Sequence, residues 1–419
     1  MNRKGSSRGG QGKAQPAYRN SPAPTMSWRG TIERLAWGGL GLATAEDGRL
    51  ILLRAPLALF PGEVVEAQLR WKPRHAEGTV TRWVKRDPRR AATPCPVAEA
   101  CGGCDLWEAG AAEGELKRQM AADLLGRQLP EQPFTFHAAP PEARRHRIQL
   151  HWDGRALGYH RRGSHALVPV TACPAAADPL SKALPRLIEA LEARIIPGRP
   201  QRWELVTGTP AGEVRAVDEQ GRAWLLEPDG WHKDAGPVVH RLGGLVLKQD
   251  AGAFFQVAPD WAFEAFRTVL EGWDLRGGTL YDLYGGVGFF SAMLGTRFRH
   301  RVLVEGYAPA VARAVENLAA LGLSADTHAE DVGTWVPEGL GEAGDLILLD
   351  PPRAGLDEAL ATRPHTAKAD RMVLIGCDGA PFCRDVQRLA PTWKVKDLHV
   401  LDLFPRTVHA EFIALLEKA

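Results

Sequence analysis

From Trp28 to about Arg90 the chain alternates short β-rich runs with glycine turns, as in "WRGTIERLAWGGLGLATAEDGRLILL". "EDGR" at 46–49 is a hairpin signal and "FPGE" at 60–63 a second turn, so this stretch predicts a small β-barrel. A helical stretch, "GELKRQMAADLLGRQL", follows; its position leaves it free to pack on a later part of the chain. Residues 134–250 read as mixed and strand-rich, with one amphipathic helix around 181–194. After "QDAGAFFQVAPD" at 249–260 the rhythm changes. "DWAFEAFRTVLEGW" reads as a helix, "TLYDLYGG" as strand and turn, "RVLVEGY" as a strand, "APAVARAVENLAALGL" as a helix and "DLILLDPPRAG" as a buried strand. Alternation of this kind predicts an α/β fold with a mostly parallel, doubly wound sheet, whose ligands bind beyond the carboxyl ends of the strands.

Composition changes little in that picture. With 45% hydrophobic and 24% charged residues over 419 positions, an ordinary globular chain of two or three domains is expected. No apolar run reaches the roughly 18 residues a membrane span needs, so no membrane partner and a cytoplasmic setting are expected. The net charge of +2 conceals a local excess. Residues 1–26 hold Arg3, Lys4, Arg8, Lys13 and Arg19 without an acid, which predicts a disordered basic arm. Arg70, Lys72, Arg74, Arg82, Lys85, Arg86, Arg89 and Arg90 stand among Trp71 and Trp83. Basic and aromatic side chains so interleaved suit phosphate contact with base stacking, although a solvated strand face has the same composition.

Six cysteines in such a chain argue against a disulfide framework. Cys95, Cys101 and Cys104 cluster and Cys173 stands apart in "TACP"; four thiolates of this kind hold zinc or an iron–sulfur cluster, and spacing alone does not choose. In "DLYGGVGFFS" the glycines 285, 286 and 288 fall between a strand and a helix, where they allow a tight turn against a nucleotide-like ligand. Glu305 ends the next strand, placed to accept ribose hydroxyls. A dinucleotide fits this geometry as well as S-adenosylmethionine does, but Ser291 replaces the third glycine of the nicotinamide fingerprint. Asp350, before Pro351 and Pro352, is a carboxylate held rigidly at a strand's end. Cys377 ends the strand after that, at the same sheet edge. Glu411 lies in a final segment expected to run antiparallel along the sheet edge, and together they offer a nucleophile and a base. Cys383 reads as a packing thiol.

In order, "FFQV", "DLYGGVGFFS", "LLDPPRAGL", "IGCDGAPFCRDV" and "FPRTVHAE", with the cysteine quartet, resemble the RNA 5-methyluridine methyltransferases of the RumA and TrmA kind. The resemblance runs from about Trp28 to the end and is nearer the RumA-like, ribosomal-RNA branch. It implies a TRAM or OB-like RNA-binding barrel over 27–90, a central domain over 91–250 with a [4Fe-4S] site on Cys95, Cys101, Cys104 and Cys173, and a Rossmann-like class I methyltransferase domain over 251–419. It implies that Gln256, Tyr284, Gly286, Gly288, Glu305, Asp331 and Asp350 line the pocket for S-adenosyl-L-methionine and the base, with Asp331 at the adenine. Cys377 matches the nucleophile and Glu411 the base. The implied partner is RNA, ribosomal before transfer RNA, and nothing demands more than a monomer. The chain departs from the family's pattern at Gly285, Phe289 and Asp378. An acid beside a cysteine disfavours the thiolate unless a positive group compensates. Cytosine-5 methylation would ask for a Pro-Cys motif that is absent at Cys377, and a non-catalytic RNA-binding relative is the other alternative.

Overall fold

Short, branched, uninterrupted apolar runs such as Leu346–Leu349 need cover on both faces, and a sheet sandwiched by helices supplies it. The computed structural model describes residues 25–234 and 236–419; the basic arm read over 1–26 lies outside the described residues except for its last two positions, and Met26 already opens a strand. The largest sheet has eight strands in the order Asp326–His328, Phe298–Val304, Gly277–Leu283, Leu346–Leu349, Arg371–Gly376, Glu411–Lys418, Trp393–Leu401, Thr135–His137. The first five are mutually parallel, and Glu411–Lys418 runs antiparallel to both of its neighbours. The expectation of an edge position for that last segment is therefore corrected. All of Glu411–Leu416 is buried, and a strand apolar on both faces is stable only with neighbours on either side.

Opposite faces of this sheet carry separate cores. Leu280, Leu348, Val373 and Ile413 pack with Phe263 and Phe266 of the helix Pro259–Gly272 and with Leu318 of Ala308–Ala320. Leu283, Leu349, Leu374 and Phe412 pack with Phe382 of Gly379–Leu389 and with Leu124 and Leu125 of Glu113–Gln128. Residues 113–137, which fall within the stretch read as the central region, thus lend a helix and a strand to the large sheet. That central region is a seven-stranded antiparallel sheet backed by the helix Asp178–Glu192 through Leu184 and Leu187 against Trp203 and Leu150.

The amino-terminal region is a six-stranded sheet in which every pairing but one is antiparallel. It folds around Ile32, Ile51, Leu53, Phe60 and Val65. The 46–49 hairpin joins Leu40–Thr44 to Leu50–Arg54 as its turn residues predict.

Candidate active site and thiol site

Strand register alone brings four ionisable groups together. Asp282 pairs with Leu348, Leu348 with Val373 and Val373 with Leu415. Because side chains alternate along a strand, Asp282, Asp350, Cys377 and Glu411 all belong to this one face, at the carboxyl ends of the parallel strands. Cys377 follows the last paired position of its strand, and Glu411 precedes the residue that Gly376 pairs with. The two therefore stand opposite each other across neighbouring strands.

Crowding of acids sets the electrostatics of this edge. Burial pushes the half-buried Cys377 thiol up to about 12; the Glu411 and Asp350 charges add to the rise, and the Arg353 guanidinium opposes it. Glu411 is raised well above the ordinary carboxyl value by burial and then by Asp350. Asp350 is raised to about 7 by burial and then by Asp282. Asp282 is raised to about 6, first by burial. Burial and the neighbouring carboxyls therefore disfavour the charged form of the Cys377 thiol at this edge. Asp378 does not add to this burden: its carboxylate accepts from Arg353 Nε at 3.2 Å and caps the helix Gly379–Leu389. The departure at Asp378 thus comes with its own compensating cation. Sequence reasoning missed Asp282 and Arg353. A single acid of the same parity as the site, inside the apolar strand "TLYDL", was the available signal for Asp282.

The glycine loop is shaped as a ligand cradle. Gly286 and Gly288 have φ of 53° and 82°, which favour glycine, and Tyr284 is held at 65° between strand and loop. Gly286 N–H donates to Glu305 Oε2 at 3.2 Å, and Tyr307 N–H donates to Glu305 Oε1 at 2.7 Å. Glu305 is thereby fixed at the mouth of the loop. A side chain at Gly285 would meet Leu303 at 2.6 Å, so Leu303 fills the space beside this glycine. Phe289, the second departure in this loop, is buried edge-on against Phe255, tying the "FFQV" segment to the loop's helix. Asp282 accepts from Ser291 N and Oγ at 3.0 and 2.6 Å, while its other oxygen is buried without a partner among the described residues. Asp331 caps the short helix Val332–Trp335 by accepting from Thr334 N, and its charge reaches Tyr284. Gln256 is half-buried just before the helix Pro259–Gly272.

A second cluster is built from loops. Cys95, Cys101, Cys104 and Cys173 line one small cavity with Arg145 and Tyr159. Burial raises Cys95 and Cys101, and Cys104 to about 11, with the other thiols adding to each rise. Arg145 donates to Gly103 O at 2.9 Å and faces Cys104 Sγ at 3.6 Å, and the buried Tyr159 hydroxyl faces the Cys173 thiol. Thiols gathered beside a buried guanidinium are a donor set for a cationic centre that takes thiolates. No three of their sulfurs fall within 4.8 Å of one another. A single tetrahedral zinc, about 2.3 Å from each ligand sulfur, would hold them about 3.8 Å apart.

Two of the basic groups are structural. Arg90 is buried against Glu63 and Glu108 and donates to Ala58 O, and Trp83 donates to Glu63 Oε2 at 3.0 Å. Arg162 is tied to Asp105 and Cys104 O, which leaves Arg161 as the exposed member of that pair. Arg70, Arg74 and Arg86 remain exposed.

A half-buried thiol opposite a buried carboxyl, beside a glycine loop that ends on an acid, defines a methyltransferase-type site on a doubly wound sheet. Comparison with known proteins agrees. The family profile described as tRNA (Uracil-5-)-methyltransferase matches residues 343–419. The 23S rRNA (uracil(1939)-C(5))-methyltransferase RlmD of Pseudomonas putida is 31% identical, over 92% of this chain and 92% of its own. Its namesake from Chromohalobacter salexigens is 30% identical over 93% of this chain and 89% of its own. The crystal structure of a Pyrococcus abyssi tRNA (uracil-54, C5)-methyltransferase with S-adenosyl-L-homocysteine shares the fold, with a TM-score of 0.71 and 23% identity, covering 93% of this chain and all of that one. The chain belongs to the RNA uracil-C5 methyltransferase family.

Proposed function

We propose that the protein methylates C5 of a uridine in large-subunit ribosomal RNA, with Cys377 as nucleophile and Glu411 as base. The observation that carries this reading is the placement of both groups on one sheet face, opposite each other, beyond the strand ends. S-adenosylmethionine, when bound, supplies an electrophilic methyl group; Gln256, Tyr284, Gly286, Gly288, Glu305, Asp331 and Asp350 would line the pocket that holds it and the base. Uracil C5 is a weak nucleophile until the Cys377 thiolate adds to C6 and pushes an electron pair onto C5 and O4. Once C5 carries the methyl group, Glu411 takes the C5 proton. The electrons of that C–H bond re-form the C5–C6 double bond as the sulfur leaves, so Cys377 is regenerated. Burial and the Asp282 charge push the Asp350 carboxyl up to about 7, which brings it within range of sharing a proton with the base.

The target base must leave its stack to reach this edge, which costs a few kcal/mol. Arg70, Arg74, Arg86 and Arg161 would offset that cost through phosphate contacts made by the TRAM-like barrel and the cysteine region. Cys95, Cys101, Cys104 and Cys173 would hold a [4Fe-4S] cluster; their convergence on one cavity beside the Arg145 guanidinium supports an anionic thiolate-bound group there. The ribosomal substrate is favoured by relatives named for 23S rRNA that align over nearly the whole chain. The test is nucleoside mass spectrometry on ribosomal RNA and tRNA transcripts incubated separately with anaerobically purified protein and S-adenosylmethionine. 5-Methyluridine should appear in the ribosomal RNA and vanish with Cys377→Ala. Its appearance in tRNA alone would move the substrate, and its absence from both would favour an RNA-binding role without catalysis.

A further inference from the structure

The thiol site and the base are far apart in sequence, yet a single turn joins them. Glu411 opens its strand directly after the turn 402–410. Within that turn Arg406 adopts φ of 69°, a left-handed conformation that a non-glycine residue holds only when its surroundings impose it. The residues that follow Cys104 impose it. Asp105 N–H and Leu106 N–H both donate to Arg406 O, at 2.8 and 3.0 Å. Asp105 Oδ2 accepts from Val408 N–H at 3.3 Å, while its other oxygen is paired with Arg162. From the opposite side the buried Glu113 accepts from Arg406 N–H and from its guanidinium, the latter at 2.7 Å. Lys117, fully buried, holds Asp402 and donates to Phe404 O at 3.0 Å. Arg162, which grips Asp105, also donates to Cys104 O.

We propose that Asp105 is a positioning residue for the general base. Anchored at the thiol site through Cys104 and Arg162, it clamps the Arg406–Val408 turn and so fixes where Glu411 enters the sheet. The four-thiol site then acts as the abutment of the base rather than as a remote structural staple. The inference rests on Glu411 serving as the base. Loosening the clamp should impair removal of the C5 proton and the elimination that follows. Addition of Cys377 and methyl transfer, which come earlier, should survive.

The test uses the full chain with its thiol-bound group intact, as wild type, Asp105→Asn and Asp105→Ala. On ordinary uridine RNA, Asp105→Ala should lower kcat about 10- to 100-fold with KM for RNA within about 3-fold, and a denaturation-resistant RNA–protein complex should accumulate through Cys377. Asp105→Asn, which keeps one acceptor oxygen, should recover part of kcat. A fall in kcat without accumulation of the covalent complex, or a loss confined to KM, would overturn the proposal. Hydrogen exchange on the RNA-free proteins provides a reading independent of the reaction. Amides of 404–411 should exchange at least about 10-fold faster in Asp105→Ala than in wild type, with exchange in Arg371–Gly376 unchanged. Equal exchange in 404–411 would overturn the clamp even if the enzyme is active. If wild type makes no 5-methyluridine, the functional reading fails, and faster exchange in 404–411 still upholds the clamp.

Discussion

The carboxyl edge of the large sheet and the four-thiol pocket both gather titratable groups in partial burial, but they do so by different means. At the sheet edge, four adjacent strands of regular register deliver Asp282, Asp350, Cys377 and Glu411 to one face, so the pleat itself sets their alignment. In the pocket, loops deliver the thiols, and the placement of each depends on tertiary anchors such as Arg145 and Arg162. The lesson concerns tolerance. A site written in strand register withstands the loss of one side chain and changes only its chemistry, whereas a site written in loops relies on the group it binds for its shape.

The sharpest way to probe the first half of this contrast is Glu411→Gln. We expect turnover to fall about 10²- to 10⁴-fold, with the covalent RNA–protein complex accumulating and the circular dichroism spectrum unchanged. Misfolding would show that the register does not hold the site on its own. For the second half, removing the thiol-bound group with an iron chelator under oxidising conditions should abolish a broad absorbance near about 400 nm and lower the melting temperature by roughly 5 °C or more. A protein that never shows that absorbance when purified anaerobically lacks the cluster.

How much of this was legible in the sequence follows the same divide. Cys377, Asp350 and Glu305 were readable because alternating helices and strands place strand ends at one edge, and each of these residues ends a strand. The interior position of Glu411–Lys418 was not, since nothing local in "HAEFIALLEK" says that Trp393–Leu401 will pair along its outer side and that the distant Thr135–His137 will extend the sheet beyond that strand. Arg90 looked like a free cation because a charge run does not reveal its partners; Glu63 lies 27 positions away from it. The link from Cys104 to Glu411 was likewise hidden, being made by backbone groups whose partners only the tertiary fold selects.

A smaller effect is expected from Asp350→Asn, which tests the raised carboxyl. A carboxyl raised to about 7 on folding contributes its stability in full below its unfolded value near 4 and loses it as pH rises through 7. The substitution should therefore raise the melting temperature relative to wild type more at pH 8 than at pH 5, by about 3 °C. A difference independent of pH would remove the raised acid from the account. Smallest of all should be Cys383→Ala. This thiol is fully buried in the core shared with Phe382 and Val386, and its loss should cost about 1 kcal/mol in denaturant unfolding with turnover unchanged. A catalytic defect there would mean that the sheet's second face also takes part.

The central claim is that Cys377 attacks C6 while Glu411 waits opposite to take the C5 proton. It is tested most directly by incubating Glu411→Gln protein with ribosomal RNA and labelled S-adenosylmethionine, digesting the complex and sequencing the cross-linked peptide by mass spectrometry. The account predicts one peptide, joined at Cys377 to a uridine that already carries the labelled methyl group. A cross-link at another cysteine, or a Cys377 adduct without the methyl group, would contradict it.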